Sequence, residues 1–432
     1  MSPFGPWADL PPELLLLISN GFGLSLESYC RVRRVCTTWR SALPPPIPSL
    51  LTVHVTDGFP TDPDHPMRGV FHLRLPVPVS AFFLPAESSF HLWTIPHGAR
   101  CVGSSNGWMA VVTGSHWQTA EIFLLNPLTS IKKIPLPTVM KNHDSKAVSK
   151  IVSTPNPTPF DYVAVTICDL SSLAYATARD LVWTIVDVAM EREDHLVDLA
   201  YADTTDDDSK AYYCVTAHGD VRVLRLPSRR RRNPVVENLD IDRTGLPFDP
   251  AAAYASPYDV ASKFTRFKRI FFVGGSLYQL WRNTTSTVSW ETLGGGRFRM
   301  AKDEVFVLKY DPERRPCWDK ANDLGGCAVF VGKNNPVVLR PEDAAGVRAN
   351  CVYWIDEWSR NAPMVFDVTT GTSTVHPSAA KVLNPSCTPA CWYFLNDKIM
   401  SSDRDRKRRI SGEDRGQVSK NQKTGCLCTE NK

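Results

Sequence analysis

One short segment has the residue types and spacing of a hydrolase nucleophile. Gly103-Ser104-Ser105-Asn106-Gly107 matches G-x-S-x-G, in which the central serine stands on a sharp turn between a strand and a helix. In that setting the helix N-terminus and backbone amides stabilise an oxyanion. Here the following residues, Trp108–Thr113, have the composition of a strand, so Asn106-Gly107 is predicted to be a hairpin turn. Nothing in the sequence singles out a histidine or an acid as a partner for Ser105.

Two further groups could in principle bind a phosphate or a metal ion. Gly294-Gly295-Gly296 precedes Arg297 but lacks the Gly-Lys-Ser/Thr ending of a phosphate-binding loop, so a flexible hairpin loop or a loop between blades is predicted. The second group comprises three cysteines and one histidine: Cys351, Cys387, Cys391 and His376. Its spacing fits no common zinc pattern, and we interpret the cysteines as core or turn thiols. The sequence therefore predicts no catalytic residues, no metal and no cofactor.

Two basic clusters could contact phosphate or direct nuclear import. Neither contains an aromatic residue on which a base could stack. Arg229–Arg232 is predicted to be a solvated loop. The second cluster is a candidate nuclear import signal and consists of Arg406, Lys407, Arg408 and Arg409.

The formal net charge of +4 lies entirely in the C-terminal tail. Residues 401–432 contain nine Lys/Arg and five Asp/Glu, which leaves the rest of the 432-residue chain neutral. We therefore expect no binding to nucleic acid or to an anionic membrane through an overall basic field. The longest aliphatic run, Leu14–Ile18, is far shorter than the roughly 20 residues of a membrane helix. Pro3 and Asp9 interrupt any secretory leader, so we expect reduced cysteines and a location in the nucleus and/or the cytoplasm.

Composition divides the chain into four regions. Residues 3–43 are predicted to be helical, and residues 44–60 to be a linker that starts with a stiff proline-rich stretch. Residues 61–395 contain short β-branched and aromatic runs separated by turn signals. Residues 400–432 contain no aromatic residue and are predicted to be disordered.

The strand region is predicted to form an all-β propeller of short, irregular blades. Turn signals at Asn106-Gly107, Gly219-Asp220 and Gly274-Gly275 are unevenly spaced, which favours blades of unequal length over a strict solenoid. The predicted strands are Trp108–Thr113, Glu121–Leu125, Tyr162–Ile167, Val221–Leu226, Arg269–Val273, Val305–Tyr310 and Cys327–Val331.

The N-terminal region is predicted to contain three short helices. Pro11 and Pro12 suit the first turn of a helix whose Leu14, Leu17 and Ile18 share one face. A second helix is predicted after Ser25, and a third carries Val35, Cys36 and Trp39. About 40 residues are too few for a self-sufficient core. The helices therefore either cap the downstream body or present an apolar stripe to a partner.

The ends of this helical region resemble an F-box. Residues 7–15 follow W-x-x-L-P-x-E-L-L, and residues 33–40 follow R-x-V-C-x-x-W-R, whereas Asn20-Gly21-Phe22-Gly23 departs from the usual continuation. The resemblance implies an apolar contact with a Skp-type adaptor. The residues that match the motif and would make this contact are Leu10, Pro11, Leu14, Leu15, Ile18, Val32, Val35, Cys36 and Trp39.

The body is similar to the plant F-box proteins whose C-terminal region is a KIB-type β-propeller. Residues 103–108 and 124–129 resemble the family's "GSS-x-GW … LLNPLT" blade. Further matching segments, which extend the likeness over residues 70–395, are Ser153–Val165, His218–Val221, Gly274–Tyr278, Asn350–Trp354, Val365–Val368 and Cys391–Phe394.

Together the two resemblances imply a non-catalytic substrate receptor of a Skp–cullin–F-box ubiquitin ligase. The F-box would bind the adaptor and, through it, the cullin and the RING subunit. One rim of the propeller would hold a protein substrate that the sequence does not identify. Two alternatives stay open: a binding module that acts outside any ligase, and a hydrolase on a propeller scaffold.

Overall fold

The protein is represented by a computed structural model of the 432-residue chain. The residues that it describes are 10–21, 32–33, 35–43, 49–55, 69–74, 90–95, 100–113, 121–126, 133–140, 148–168, 171–190, 194–202, 211–228, 231–239, 248–292, 295–342, 347–356, 362–376 and 387–394. The proline-rich stretch at 44–48 and the predicted disordered tail at 400–432 lie outside the described residues, as does Ser25 with the second predicted helix.

Two helices are described in the N-terminal region: α1, Pro12–Gly21, and α2, Thr37–Ala42. Pro12 occupies the first turn of α1, where its missing N–H costs no hydrogen bond. The predicted third helix begins at Thr37, so Val35 precedes it rather than lying within it. The reason is local, because Cys36 has an extended backbone and its Sγ accepts a hydrogen bond from the Trp39 amide, 3.4 Å away.

The rest of the described chain is made of short strands. In the first half these are β1 Ser49–Val55, β2 Gly69–Arg74, β3 Phe90–Ile95, β4 Arg100–Ser105, β5 Trp108–Val112, β6 Ile122–Leu125, β7 Lys133–Leu136, β8 Val139–Met140, β9 Val148–Ser153, β10 Val163–Cys168, β11 Ser172–Thr177, β12 Val182–Asp187, β13 Leu196–Ala202 and β14 Ala211–Thr216. In the second half they are β15 Val221–Arg225, β16 Val235–Asn238, β17 Phe267–Val273, β18 Ser276–Arg282, β19 Val288–Glu291, β20 Arg297–Met300, β21 Val305–Tyr310, β22 Trp318–Lys320, β23 Ala328–Phe330, β24 Val337–Leu339, β25 Cys351–Asp356, β26 Ala362–Asp367, β27 Thr372–Val375 and β28 Cys387–Tyr393. Two short helices, α3 Pro250–Ala253 and α4 Tyr258–Ala261, precede β17.

These strands form a β-propeller, as the sequence predicts. Five blades come from consecutive segments, with strand orders β4-β5-β6-β7, β8-β12-β11-β10-β9, β13-β14-β15-β16, β17-β18-β21-β22 and β24-β23-β25-β26-β27. The hairpin β19-β20 is inserted in the fourth of these. The strands β4, β9, β13 and β17 are neighbours in space, and they line the inner side of their blades.

A further sheet joins the two ends of the chain, in the order β28-β1-β2-β3. Strand β28 is antiparallel to β1, with Trp392 opposite Leu50, and it also lies beside β4. The ring is therefore closed by hydrogen bonds between the first and last described strands. Strand β1 falls in the stretch 44–60 that the composition assigned to a linker, so residues 49–55 of that stretch form a strand. The local sequence did not reveal the pairing with β28, because β28 lies at the other end of the chain.

The hairpin interpretation of Gly103–Gly107 is confirmed. Ser105 ends β4 and pairs with Trp108 at the start of β5. Asn106 and Gly107 have φ angles of 48° and 81°, the positive pair that a two-residue hairpin turn requires. A strand, and not a helix, follows the serine, so this segment does not have the setting of a hydrolase nucleophile.

The core of the propeller lies between neighbouring blades and is rich in aromatic residues. Trp183, Trp281, Trp318, Trp354 and Trp392 are fully buried. Large aromatic side chains contribute much of the apolar surface that a core of short strands can bury. Within the described residues, no helix combines the length and the apolar content needed to cross a bilayer.

Candidate functional site

The first candidate surface is the outward face of α1. Leu14 is 46% exposed and Leu17 is 64% exposed, and Ile18 and Val35 are also exposed. Three large apolar side chains on α1, together with Val35 just before α2, therefore face solvent. Apolar side chains exposed to water do not stabilise an isolated chain, whereas a protein–protein interface uses such side chains as apolar anchors.

The opposite face of α1 holds the helical region together. Leu15 and Leu43 are each only 1% exposed, and they are buried against one another. The side chain of Arg33 is also buried, and it donates hydrogen bonds to the carbonyl oxygens of Arg40 and Leu43 at the end of α2. The partly buried residues that pack on this small core are Leu10, Val32, Trp39 and Ala42.

The structure thus divides the nine residues that the F-box resemblance singled out. Those at the surface are Pro11, Leu14, Ile18 and Val35, and those in or against the small core are Leu10, Leu15, Val32 and Trp39. Cys36 is half-buried and caps α2. Leu17, the most exposed of the apolar side chains on α1, was not among the nine. The spacing of the sequence already places Leu17 on the same helical face as Leu14 and Ile18, and on that ground it could have been included among the predicted contact residues.

The centre of the propeller is occupied by the central segment, residues 331–335, which follows β23. The Asn335 amide donates to the Ser104 carbonyl oxygen of β4 at 2.7 Å. Its side-chain Oδ1 accepts from the Tyr201 amide of β13 at 2.9 Å. The segment therefore lies against inner strands of different blades.

A buried ion pair lies beside the central segment. Lys150 Nζ of β9 is 2.7 Å from Asp198 Oδ1 of β13, and the two side chains are 6% and 1% exposed. Lys150 also donates to the Gly332 carbonyl oxygen at 2.9 Å, and Asp198 Oδ2 accepts from the Ile270 amide of β17 at 2.9 Å. Each charge is thus paired and hydrogen-bonded, which is the condition under which buried charges are tolerated. The network links three consecutive blades to the central segment.

Lys268 is a second buried lysine, and its contacts connect two parts of the fold. Lys268 Nζ contacts the carbonyl oxygens of Ala217, Ser262 and Thr265 and lies 4.5 Å from the centre of the Trp281 ring. Burial lowers the pKa of Lys268 well below its usual value. Although catalytic lysines share such a lowered pKa, this side chain is 0% exposed and enclosed by backbone. It ties the β14–β15 turn to the segment after α4.

The other sequence motifs have structural settings. Gly295 lies in the β19–β20 turn, where its amide donates to the Thr292 carbonyl oxygen at 2.9 Å, so the predicted hairpin loop is confirmed. Arg231 and Arg232 lie in a turn between β15 and β16, whereas Arg229 and Arg230 are outside the described residues. Among the described His, Cys, Asp and Glu side chains, no group of three is arranged to hold a metal ion. The ring of His376 lies 5.8 Å from that of Tyr353 at an angle of 54°, and burial lowers the pKa of His376 to about 4.

The second candidate surface is one edge of the β9–β12 blade. Phe160, in the β9–β10 loop, is 90% exposed, and Leu181, in the β11–β12 loop, is 88% exposed. The Ala178 amide donates to the Tyr162 carbonyl oxygen at 3.2 Å and so holds the two loops side by side. We name Phe160 and Leu181 the apolar rim pair.

The loop that carries Phe160 is stiff. Prolines at positions 155, 157 and 159 restrict its backbone. Thr158 and Asp161 exchange two backbone hydrogen bonds, of 2.9 and 3.2 Å, across the turn that contains Phe160. A rigid aromatic side chain loses little conformational entropy on binding, which suits it to anchor a partner.

The two parts of the chain match two family models. Residues 81–374 match the KIB1-4 beta-propeller, and residues 7–44 match the F-box-like domain. A search of the curated proteins finds no match.

Two of the solved structures that match this chain are distantly similar to it. Dihydro-heme d1 dehydrogenase NirN in complex with DHE is 12% identical, with 81% of this chain and 76% of that chain covered and a TM-score of 0.28. BBS1N in complex with ARL6DN, soaked with mercury, is 10% identical, with 72% and 76% covered and a TM-score of 0.29. Similarity at this level says nothing about function.

Proposed function

This chain belongs to the KIB1-4 β-propeller family and carries an F-box-like domain ahead of the propeller, and on that basis we propose that it is the substrate receptor of a Skp–cullin–F-box ubiquitin ligase. The observation that supports the proposal most directly is the exposed apolar face of α1. Leu14, Leu17 and Ile18 stand outward on a helix whose other face is buried. We assign them to the contact with a Skp-type adaptor.

The proposed activity is positioning, not chemistry by this chain. The adaptor would connect the chain to the cullin and the RING subunit, and the propeller would hold a substrate near the charged ubiquitin-conjugating enzyme. Holding two reactants together raises the rate without an acid, base or nucleophile from the receptor. This agrees with two observations: the G-x-S-x-G segment forms a hairpin turn, and the buried side chains of Lys150 and Lys268 make contacts within the fold.

Reconstitution with purified components tests the proposal. With the Skp-type adaptor, cullin, RING subunit, E1, E2 and ubiquitin, we expect ubiquitin chains to form on the receptor itself, detected by immunoblot. Omitting the adaptor should remove this signal. Adaptor binding without cullin recruitment or ubiquitination would contradict the ligase and favour a binding module that acts outside it.

We further propose that the apolar rim pair contacts the substrate. A photo-crosslinking phenylalanine analogue at position 160 should capture proteins that the reconstituted ligase then ubiquitinates. Leu181→Asp should remove this capture, because it places a charge beside the anchor. The same analogue at Val375, which is 54% exposed on β27, is the matched control. Equal capture from positions 160 and 375 would refute a specific contact at the rim pair.

Nuclear import through Arg406, Lys407, Arg408 and Arg409 is a separate proposal, based on their sequence alone. Replacing all four with alanine should reduce the nuclear signal of a fluorescent fusion. The melting temperature should not change, because the tail has no aromatic residue and few aliphatic ones to bury. An unchanged distribution in the cell would contradict the import signal.

A further inference from the structure

Two buried thiols meet where the propeller closes. Cys101 lies on β4 and Cys391 on β28, 290 positions apart in sequence, and their Sγ atoms are 3.4 Å apart. Cys101 is 3% exposed and Cys391 is 0% exposed. A disulfide bond is about 2.05 Å long, so the two sulfur atoms need to approach by little more than 1 Å to bond.

The surroundings distinguish the two thiols. The hydrogen bond with Cys391 and the positive charge of Lys333 lower the pKa of Cys101, against the effect of burial. The same hydrogen bond and burial raise the pKa of Cys391 well above its usual value. We assign the first attack to Cys101, and Cys391, whose Sγ is 3.4 Å away, is placed to react with it in a second step.

The backbone on both sides is irregular at this point. The β4–β5 register shifts between Cys101 and Gly103, and the β1–β28 register shifts between Leu51 and Thr52, next to Cys391. A bulge interrupts the hydrogen-bond ladder and bends the strand locally. The two sulfur atoms can therefore approach each other without breaking a regular hydrogen-bond ladder between β4 and β5 or between β1 and β28.

We propose that Cys101 and Cys391 are a reversible redox pair whose disulfide locks the last strand of the propeller to β4. With a peroxide as oxidant, the Cys101 thiolate attacks the O–O bond and becomes a sulfenic acid, and the leaving oxygen takes up a proton as water. The Cys391 sulfur then attacks the sulfenic sulfur, the S–S bond forms and a second water leaves. Two thiols lose two electrons, and hydrogen peroxide is reduced to two molecules of water. A dithiol reverses the step by exchange.

The consequence follows from the position of β28 in the fold. Among the described contacts, β28 is held in the ring by hydrogen bonds to β1, by a hydrogen bond from Tyr393 Oη to the Gly107 carbonyl oxygen at 2.8 Å and by side-chain packing, and no covalent bond adds to them in the reduced state. A covalent link between residues 290 positions apart lowers the conformational entropy of the unfolded chain. In the chain-entropy description this stabilisation increases with the length of the closed loop. The oxidised propeller should therefore be harder to open than the reduced one. The inference does not depend on the proposed ligase function.

The test uses the full-length protein. Native protein is treated with hydrogen peroxide or with dithiothreitol, free thiols are alkylated, and digests are analysed by mass spectrometry. We expect a linked peptide that contains Cys101 and Cys391 only after peroxide, and a melting temperature several degrees higher, both reversed by dithiothreitol. Absence of the linked peptide, its formation only in urea, or an unchanged melting temperature would overturn the proposal.

Variants provide the matched comparison. Cys391→Ser and Cys101→Ser should each abolish the peroxide-dependent rise in melting temperature. Cys214→Ser should retain it, since Cys214 is equally buried and burial raises its pKa to about 12. A rise that persists in Cys391→Ser would refute the pair. If a variant does not fold, the presence or absence of the linked peptide in the unaltered protein still tests whether Cys101 and Cys391 form a disulfide.

Discussion

Replacing both Leu14 and Leu17 with aspartate should abolish binding to a Skp-type adaptor. Both side chains are exposed on α1, so the change removes no contact of the small Leu15–Leu43 core. Interface hot spots contribute at least about 2 kcal/mol each, so we expect a loss of about 4 kcal/mol, or a thousandfold in Kd. Titration calorimetry with the purified adaptor measures this.

Two comparisons separate binding from folding in that experiment. Leu181→Asp introduces one aspartate at an exposed leucine of the propeller and should leave adaptor affinity unchanged. Circular dichroism of the double variant should match that of the unaltered protein. An affinity within twofold of the original would show that α1 does not bind the adaptor through this face.

Asp198→Ala should lower the free energy of unfolding far more than the loss of a surface ion pair would. The carboxylate is the counter-charge of Lys150 and also the acceptor for the Ile270 amide. Its removal breaks a buried ion pair by taking away one partner, which costs about 3–5 kcal/mol. Denaturant unfolding of the two proteins, followed by tryptophan fluorescence, gives the difference.

Three control variants identify the cause of the loss. Glu237→Ala breaks the pair with Arg225, in which the arginine and glutamate side chains are 28% and 48% exposed, and should cost less than about 1 kcal/mol. Asp198→Asn keeps an acceptor for Ile270 but not the charge, so it should still destabilise. The double variant Lys150→Met with Asp198→Leu should recover part of the loss, since no unpaired charge remains. If Asp198→Ala and Glu237→Ala had equal effects, the buried pair would not hold the blades together.

Local features of the fold were predictable because they depend on residues that are close in sequence. Asn106-Gly107 predicted a hairpin turn, and both residues have the positive φ that the turn needs. Val305–Tyr310 was predicted to the residue, because its β-branched and aromatic composition ends at a proline-containing turn. The start of α2 was less accurate, because the extended conformation of Cys36 depends on its own capping hydrogen bond.

The sequence by itself determined the class of this protein: an F-box-like region followed by a propeller of short strands. The tertiary structure alone decided that Leu15 is buried while Leu14 and Leu17 are exposed, that β1 pairs with β28, and that Lys150 meets Asp198. The physical reason is the range of the interactions. Turn chemistry and helix periodicity act over a few residues, whereas ring closure, buried ion pairs and thiol contacts join positions that only the completed fold brings together.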